Sequence, residues 1–238
     1  MGSQTNGGNT LRTPVLAINF KAYNTAFGQK ALEIAKAAEK AAKEYDVEVI
    51  VIPPATELRR IASEVSIPVF AQHADPYEFG AYTGWLPVAA LKEMNVKGVL
   101  INHSEHRIRL DEIVAIVEAA RKYGLETLVC ADTPIAAAAI AAIKPVALAV
   151  EPPELIGTGI AVSKAKPEVI TNTVQRVREV NKDVIILTGA GISSAEDVEA
   201  AIRLGTAGVL VASAIMKAQN PAKVINDMAM AAAKAFKK

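Results

Sequence analysis

The sequence predicts an α/β protein, a single parallel eight-stranded (β/α)8 barrel, and three observations carry that expectation. Short apolar runs alternate eight times with stretches whose apolar residues recur at helical spacing. The runs are unbroken, as in VEVIVI, VKGVLIN, ETLVCA and DVIILT, the mark of strands buried on both faces and hence of a parallel sheet. The 238 residues hold no Pro/Gly/Ser linker between units, and a barrel of this kind takes about 250 residues as one domain. A doubly wound open sheet shares the alternation, but the count of eight favours closure.

In order, Pro14 to Phe20 (PVLAINF) reads as the first strand and Ala26 to Tyr45 as the first helix, with Leu32, Ile34, Ala35, Ala38 and Ala42 set among Lys and Glu. Strand Val47 to Ile52 leads to helix Ala55 to Val65, and strand Pro68 to Ala71 to helix Pro87 to Asn95. Strand Gly98 to Asn102 precedes helix Leu110 to Tyr123, and strand Glu126 to Cys130 precedes helix Pro134 to Ile143. Strands Val146 to Glu151, Val184 to Thr188 and Gly208 to Val211 follow, with helices Lys166 to Val180, Ser194 to Leu204 and Pro221 to Phe236. Residues 1–12 are expected to be a disordered leader appended to a barrel domain at 13–238, because Met1 to Thr10 holds no apolar run able to offset the cost of ordering it.

Composition narrows the function. A hydrophobic fraction of 51% excludes a disordered chain. The single cysteine, Cys130, excludes a disulfide scaffold and the usual zinc clusters, and points to a reducing, cytoplasmic compartment. With 26 basic and 25 acidic residues the net charge is +1, so no broad field exists to hold nucleic acid or an anionic membrane. The most apolar stretch, Pro134 to Val150, is broken by Lys144 and Pro145 and falls short of the roughly 20 residues a bilayer needs. The expected partner is a small molecule.

On this fold the chemistry sits at the carboxyl ends of the strands. The first strand ends in Asn19, Phe20 and Lys21, and strand alternation sends Asn19 and Lys21 to one side. A lysine there offers a fixed positive charge to an anionic substrate; a solvated strand-end lysine is the alternative. The fourth strand runs into Asn102, His103, Ser104, Glu105, His106 and Arg107. An imidazole at the amino end of a short helical turn is kept neutral by the helix dipole and can donate a hydrogen bond to a carbonyl, although a histidine capping its own loop fits the spacing too. His73 and His106 read as structural, since no metal-ligand spacing joins the histidines.

The sixth strand is wholly apolar until Glu151, and desolvation there makes a carboxylate a better base. Pro152 and Pro153 fix its direction, and ELIGTG then reads as a mobile lid with an apolar tip at Leu155 and Ile156. A Glu before a glycine-containing turn is also compatible with an ordinary loop. Gly189, Ala190 and Gly191 after the seventh strand, with Val211, Ala212 and Ser213 after the eighth, stand where barrels bind phosphate through backbone N–H groups and the start of a short helix. Cys130 reads as a small buried hydrophobe rather than a nucleophile.

Together AINFKAY, NHSEHR, VEPPELIGTG and TGAGIS, in order on strands one, four, six and seven, resemble the triosephosphate isomerase family in its short archaeal form, over Pro14 to Phe236. The resemblance implies a TIM barrel and a cofactor-free, metal-free isomerase of glycolysis and gluconeogenesis that interconverts dihydroxyacetone phosphate and D-glyceraldehyde 3-phosphate through an enediolate. It implies Lys21 as the cation, Asn19 as a positioning group, His103 as electrophile, Glu151 as base and Glu105 as the carboxylate of the HSE motif. It assigns phosphate to main-chain groups at Ile156 and Gly157 in the lid, at Gly191, and at Ala212 with Ser213.

The resemblance also implies a homo-oligomer, dimer or tetramer, in which the segment HADPYEFGAYTGWLP reaches a neighbouring subunit. Thr83 and Gly84 keep the family pattern there, whereas Tyr82 and Trp85 depart from it, as does Ala214 after the eighth strand. Two rival readings are an aldolase in which Lys21 forms a Schiff base and a non-catalytic phosphate-binding barrel.

Overall fold

Alternation along the first strand sets the architecture. In the computed structural model, which describes residues 11–152 and 166–237, β1 (Val15–Asn19) turns Val15 and Ala17 to one face and Leu16 and Ile18 to the other. Both faces are buried, which is why the run carries no polar alternation. The other strands are β2 (Glu48–Ile52), β3 (Phe70–Ala71), β4 (Gly98–Ile101), β5 (Glu126–Ala131), β6 (Ala147–Val150), β7 (Ile185–Thr188) and β8 (Gly208–Val211). All pair in parallel in the order β2-β1-β8-β7-β6-β5-β4-β3, and a parallel bridge from Val51 to Val69 joins the two ends. The expected eight-stranded barrel is what forms.

Its interior is a packed core of Val15, Ala17, Ile50, Phe70, Leu100, Leu128, Cys130, Ala149, Leu187 and Leu210. The opposite faces meet the helices α1 (Gly28–Tyr45), α2 (Leu58–Glu64), α3 (Val88–Glu93), α4 (Leu110–Lys122), α5 (Pro134–Ala142), α6 (Pro167–Val180), α7 (Ala195–Arg203), α8 (Ser213–Met216) and α9 (Pro221–Phe236). Each buried Leu or Ile in this outer layer is worth about 1.5–3 kcal/mol of transfer free energy, which favours docking of the helices on the strands. Barrel closure also needs backbones to touch. Gly208 opens β8 with φ +149°, and a Cβ there would lie 1.9 Å from the Val15 carbonyl oxygen.

Element ends differ from the sequence-based boundaries where short 3-10 turns intervene. The first helix starts at Gly28 because Asn24–Ala26 forms such a turn, and the second is preceded by another at Ala55–Glu57. The third helix is shorter at both ends than Pro87 to Asn95, and Asn95 already lies at φ +59°. Residues 1–10 of the expected leader lie outside the described residues. Its last two residues are packed on the domain: Leu11 is buried with the barrel interior, and Arg12 pairs with Asp46 at 2.8 Å and Glu48 at 3.5 Å. Among the described residues no helix is long and apolar enough to cross a membrane.

Candidate active site

The mouth of the barrel gathers side chains from the ends of β1, β4, β6, β7 and β8. Asn19 is buried, and its Oδ1 accepts the main-chain N–H of Lys21 at 2.9 Å. That Asx turn supports Lys21 at φ +49°, a left-handed conformation that a non-glycine residue adopts at a cost. Gln72, just past β3, braces the same turn. Its amide nitrogen lies 3.0 Å from the Lys21 carbonyl, 3.1 Å from that of Ile52 and 3.3 Å from Asn19 Oδ1. So anchored, Lys21 sets its Nζ 2.7 Å from Glu105 Oε1, an ion pair with the lysine end mostly covered and the glutamate open to solvent. A paired ammonium suits a charge role better than a Schiff-base nucleophile.

Past β4, Asn102 turns the chain at φ +58°, donating through Nδ2 to the Cys130 carbonyl at 2.9 Å and accepting the Ile108 N–H at 3.2 Å. The following residue, His103, is thereby buried at the mouth. The His106 N–H donates to the His103 carbonyl at 2.8 Å, closing a single turn that His103 opens. The choice of tautomer has a local cause. The Glu105 N–H donates to His103 Nδ1 at 3.1 Å, so that nitrogen presents its lone pair and the proton belongs on Nε2.

Glu151 directly follows β6 with only 3% of its surface exposed, its N–H tied to the Ala131 carbonyl at 2.7 Å. Its Oε1 lies 3.3 Å from His103 Nε2, while Oε2 is buried with no hydrogen-bond partner among the described residues. That second oxygen is left free to meet a substrate group. Cys130 belongs to the same interior, and burial, with the Glu151 charge second, pushes its thiol well above the ordinary range. It is a free, buried cysteine, as expected for an inert hydrophobe.

Asn19, Lys21, His103 and Glu151 face Gly189, Ala190, Gly191, Ile192, Ser193, Ala212 and Ser213 across one small cavity of about 80 Å³. Gly191 takes φ +69°, a turn open to glycine, and Ser213 begins α8, whose first N–H groups have no partner within the helix. Asp197 accepts the Ser193 and Ser194 N–H groups at 3.0 and 3.1 Å, which fixes the loop after β7. The structure thus unites Asn19, Lys21, His103, Glu151, Gly191, Ala212 and Ser213. Glu105 stands at the rim, on an adjoining cavity with Gln72, His73 and His106. Ile156 and Gly157, with the rest of the expected lid, lie outside the described residues. His73 and His106 stack at 4.3 Å, and His73 Nε2 reaches Asp75 Oδ1 at 3.1 Å, a structural arrangement.

Gln72 is the residue that sequence reasoning missed. Chemically, the cavity holds a carboxylate, an imidazole N–H and an ammonium around backbone donors. That set can remove a proton next to a carbonyl while neutralising the charge that develops on oxygen.

Comparison with known proteins agrees with this chemistry. The family model described as triosephosphate isomerase matches residues 14–228. A curated triosephosphate isomerase of Caldivirga maquilingensis is 50% identical over 219 residues, covering 92% of this chain and 97% of the relative. That of Saccharolobus solfataricus is 45% identical over 226 residues, 95% and 99% of the two chains. That of Methanocaldococcus jannaschii is 49% identical over 214 residues, 90% and 98%.

Proposed function

The chain belongs to the triosephosphate isomerase family and interconverts dihydroxyacetone phosphate and D-glyceraldehyde 3-phosphate as a glycolytic isomerase, and we propose that Glu151, His103 and Lys21 carry that reaction. Glu151 removes a proton from the carbon bearing the hydroxyl of the ketose. The electron pair moves into the new carbon–carbon double bond and the carbonyl oxygen takes up charge. His103 supplies its Nε2 proton to that oxygen and recovers the proton of the neighbouring hydroxyl. Glu151 then returns its proton to the former carbonyl carbon, completing the aldose. Proton transfers of this kind contribute about 10²–10⁴ in rate each.

The observation that carries this reading is the 3.3 Å approach of His103 Nε2 to Glu151 Oε1, with Nδ1 held as an acceptor. It supports a reading in which acid and base act together beside one small cavity. Lys21 supplies positive charge to the substrate and Asn19 holds the turn from which it projects. Main-chain donors at Gly191, Ala212 and Ser213, with the Ser213 hydroxyl, take the phosphate, and the family resemblance adds Ile156 and Gly157 to that set. The reaction asks for no metal and no organic cofactor. A coupled assay with glyceraldehyde 3-phosphate on the wild type and on Glu151→Gln tests the assignment; near-wild-type turnover in the variant refutes it.

The same reading makes the protein a homo-oligomer, dimer or tetramer, working in the cytoplasm in glycolysis and gluconeogenesis. Support for assembly comes from Phe79, Tyr82 and Trp85, which stand exposed in the segment between β3 and α3. The buried free thiol of Cys130 accords with a reducing compartment.

A further inference from the structure

The two glycines after β7 are required for different reasons. Gly191 has the left-handed backbone, at φ +69°, whereas Gly189 lies outside that region and its conformation is open to any residue. What excludes a side chain at 189 is space. A Cβ there would lie 2.7 Å from Glu151 Cγ, 3.3 Å from Glu151 Oε1 and 3.3 Å from the Val150 carbonyl oxygen. Ordinary contact begins near 3.4 Å, so the nearest neighbour has to give way.

The main chain on both sides is held. The Gly189 N–H donates to the Val150 carbonyl at 2.9 Å, Thr188 pairs with Val150 and Val209, and the Glu151 N–H is bound to Ala131 at 2.7 Å. The soft coordinate is the Glu151 arm, whose side-chain torsions turn more easily than a ladder of hydrogen bonds breaks. Moving that arm shifts Oε1 relative to His103 Nε2, now at 3.3 Å. We infer that Gly189 is a positioning residue for the catalytic base: its bare α-carbon is the wall against which the Glu151 stem rests, and the absence of a side chain there sets where the carboxylate meets substrate. The inference rests on Glu151 being the base.

The test is a double-mutant cycle on the full-length protein, with Gly189→Ala, Glu151→Asp and their combination, and Glu151→Gln beside them. Affinity for glycerol 3-phosphate, which bears the phosphate but no carbonyl, is measured in each. In Gly189→Ala, kcat is expected to fall about a hundredfold, the effect of a misplacement near 1 Å, while glycerol 3-phosphate affinity and KM hold. Glu151→Asp removes one methylene from the arm that the new Cβ would crowd. Its penalty is therefore much smaller when it is added to Gly189→Ala than when it is made in the wild type.

Wild-type kcat in Gly189→Ala overturns the inference, as does an equal Glu151→Asp penalty in both backgrounds. Should Gly189→Ala not accumulate folded, Glu151→Asp is expected to restore folding, and failure to do so is equally fatal. Full turnover in Glu151→Gln removes the base assignment and this inference with it. An inactive Glu151→Gln with an additive cycle removes the inference alone.

Discussion

The main-chain N–H of Glu105 donates to His103 Nδ1 across 3.1 Å, and the far nitrogen of the same ring, Nε2, stands 3.3 Å from Glu151 Oε1. One backbone donor thereby selects the tautomer that presents an N–H to the cavity. Nitrogen-15 spectra of labelled protein at pH 7 should show the His103 Nδ1 as an unprotonated acceptor and Nε2 as the proton carrier. A doubly protonated ring would contradict the role given to His103.

Glu151→Gln keeps the size of the side chain and removes its basicity. Turnover is expected to fall by about 10²–10⁴ or more, since general-base catalysis alone supplies that much. Exchange of substrate carbon-bound protons with deuterated solvent should vanish in parallel, because both report the same enediolate. Retention of exchange with lost turnover would move the base elsewhere.

Lys21 is expected to act through charge. Lys21→Met should weaken glycerol 3-phosphate binding and depress kcat. Lys21→Arg should recover part of the affinity, limited by a guanidinium that cannot reproduce the single short contact at 2.7 Å to Glu105. Unchanged inhibitor affinity in the methionine variant would take Lys21 out of the site.

How far the chain could be read before folding depends on the range of the interactions. The eight strands were legible because both of their faces are buried, and their ends pointed to the candidate site because Asn19, Lys21 and Glu151 break apolar runs at the rim where this fold keeps its chemistry. Gln72 was not legible. Its function comes from the carbonyls of Lys21, just past β1, and of Ile52 on β2, which converge only when the barrel closes, and FAQHAD carries no local signal for that. The contact that sets the His103 tautomer was not legible for a related reason. Nothing in NHSEHR shows that the Glu105 N–H, two residues on, will meet the ring. In TGAGIS both glycines read as phosphate turn, although Gly189 answers to Glu151 across the β6–β7 boundary.

Burial raises the Cys130 thiol above its ordinary value near 9.0, with the Glu151 charge adding to the effect. Above that ordinary value the unfolded chain releases the thiol proton while the folded chain retains it. Stability therefore falls as pH rises, by up to about 1.4 kcal/mol per pH unit, and below it the group contributes no slope. The difference in urea-unfolding free energy between wild type and Cys130→Ala should be flat near neutrality and shrink at alkaline pH. A difference independent of pH would show that the thiol ionises equally in both states.

Assembly is the last expectation, and it follows from where the aromatic residues of the segment between β3 and α3 end up. Tyr77 stacks on Tyr82 at 4.4 Å and meets the edge of Trp85 at 5.1 Å, so the segment has a small core of its own. That core leaves Phe79 67% and Trp85 54% exposed, an apolar surface that a second copy would cover. The cavity of about 230 Å³ beside Lys21, lined by Asn19, Gln72, Leu86 and Glu105, offers a place where an inserted neighbour would press on the turn that carries the cation. If so, assembly and activity are linked, because what binds the folded site also stabilises it. Light scattering should give the wild type a mass that is a multiple of 25.1 kDa. The Trp85→Glu, Tyr82→Ser double variant should shift toward monomer with a loss of kcat that rises again at high protein concentration. A fully active wild type of 25.1 kDa at micromolar concentration would refute the assembly.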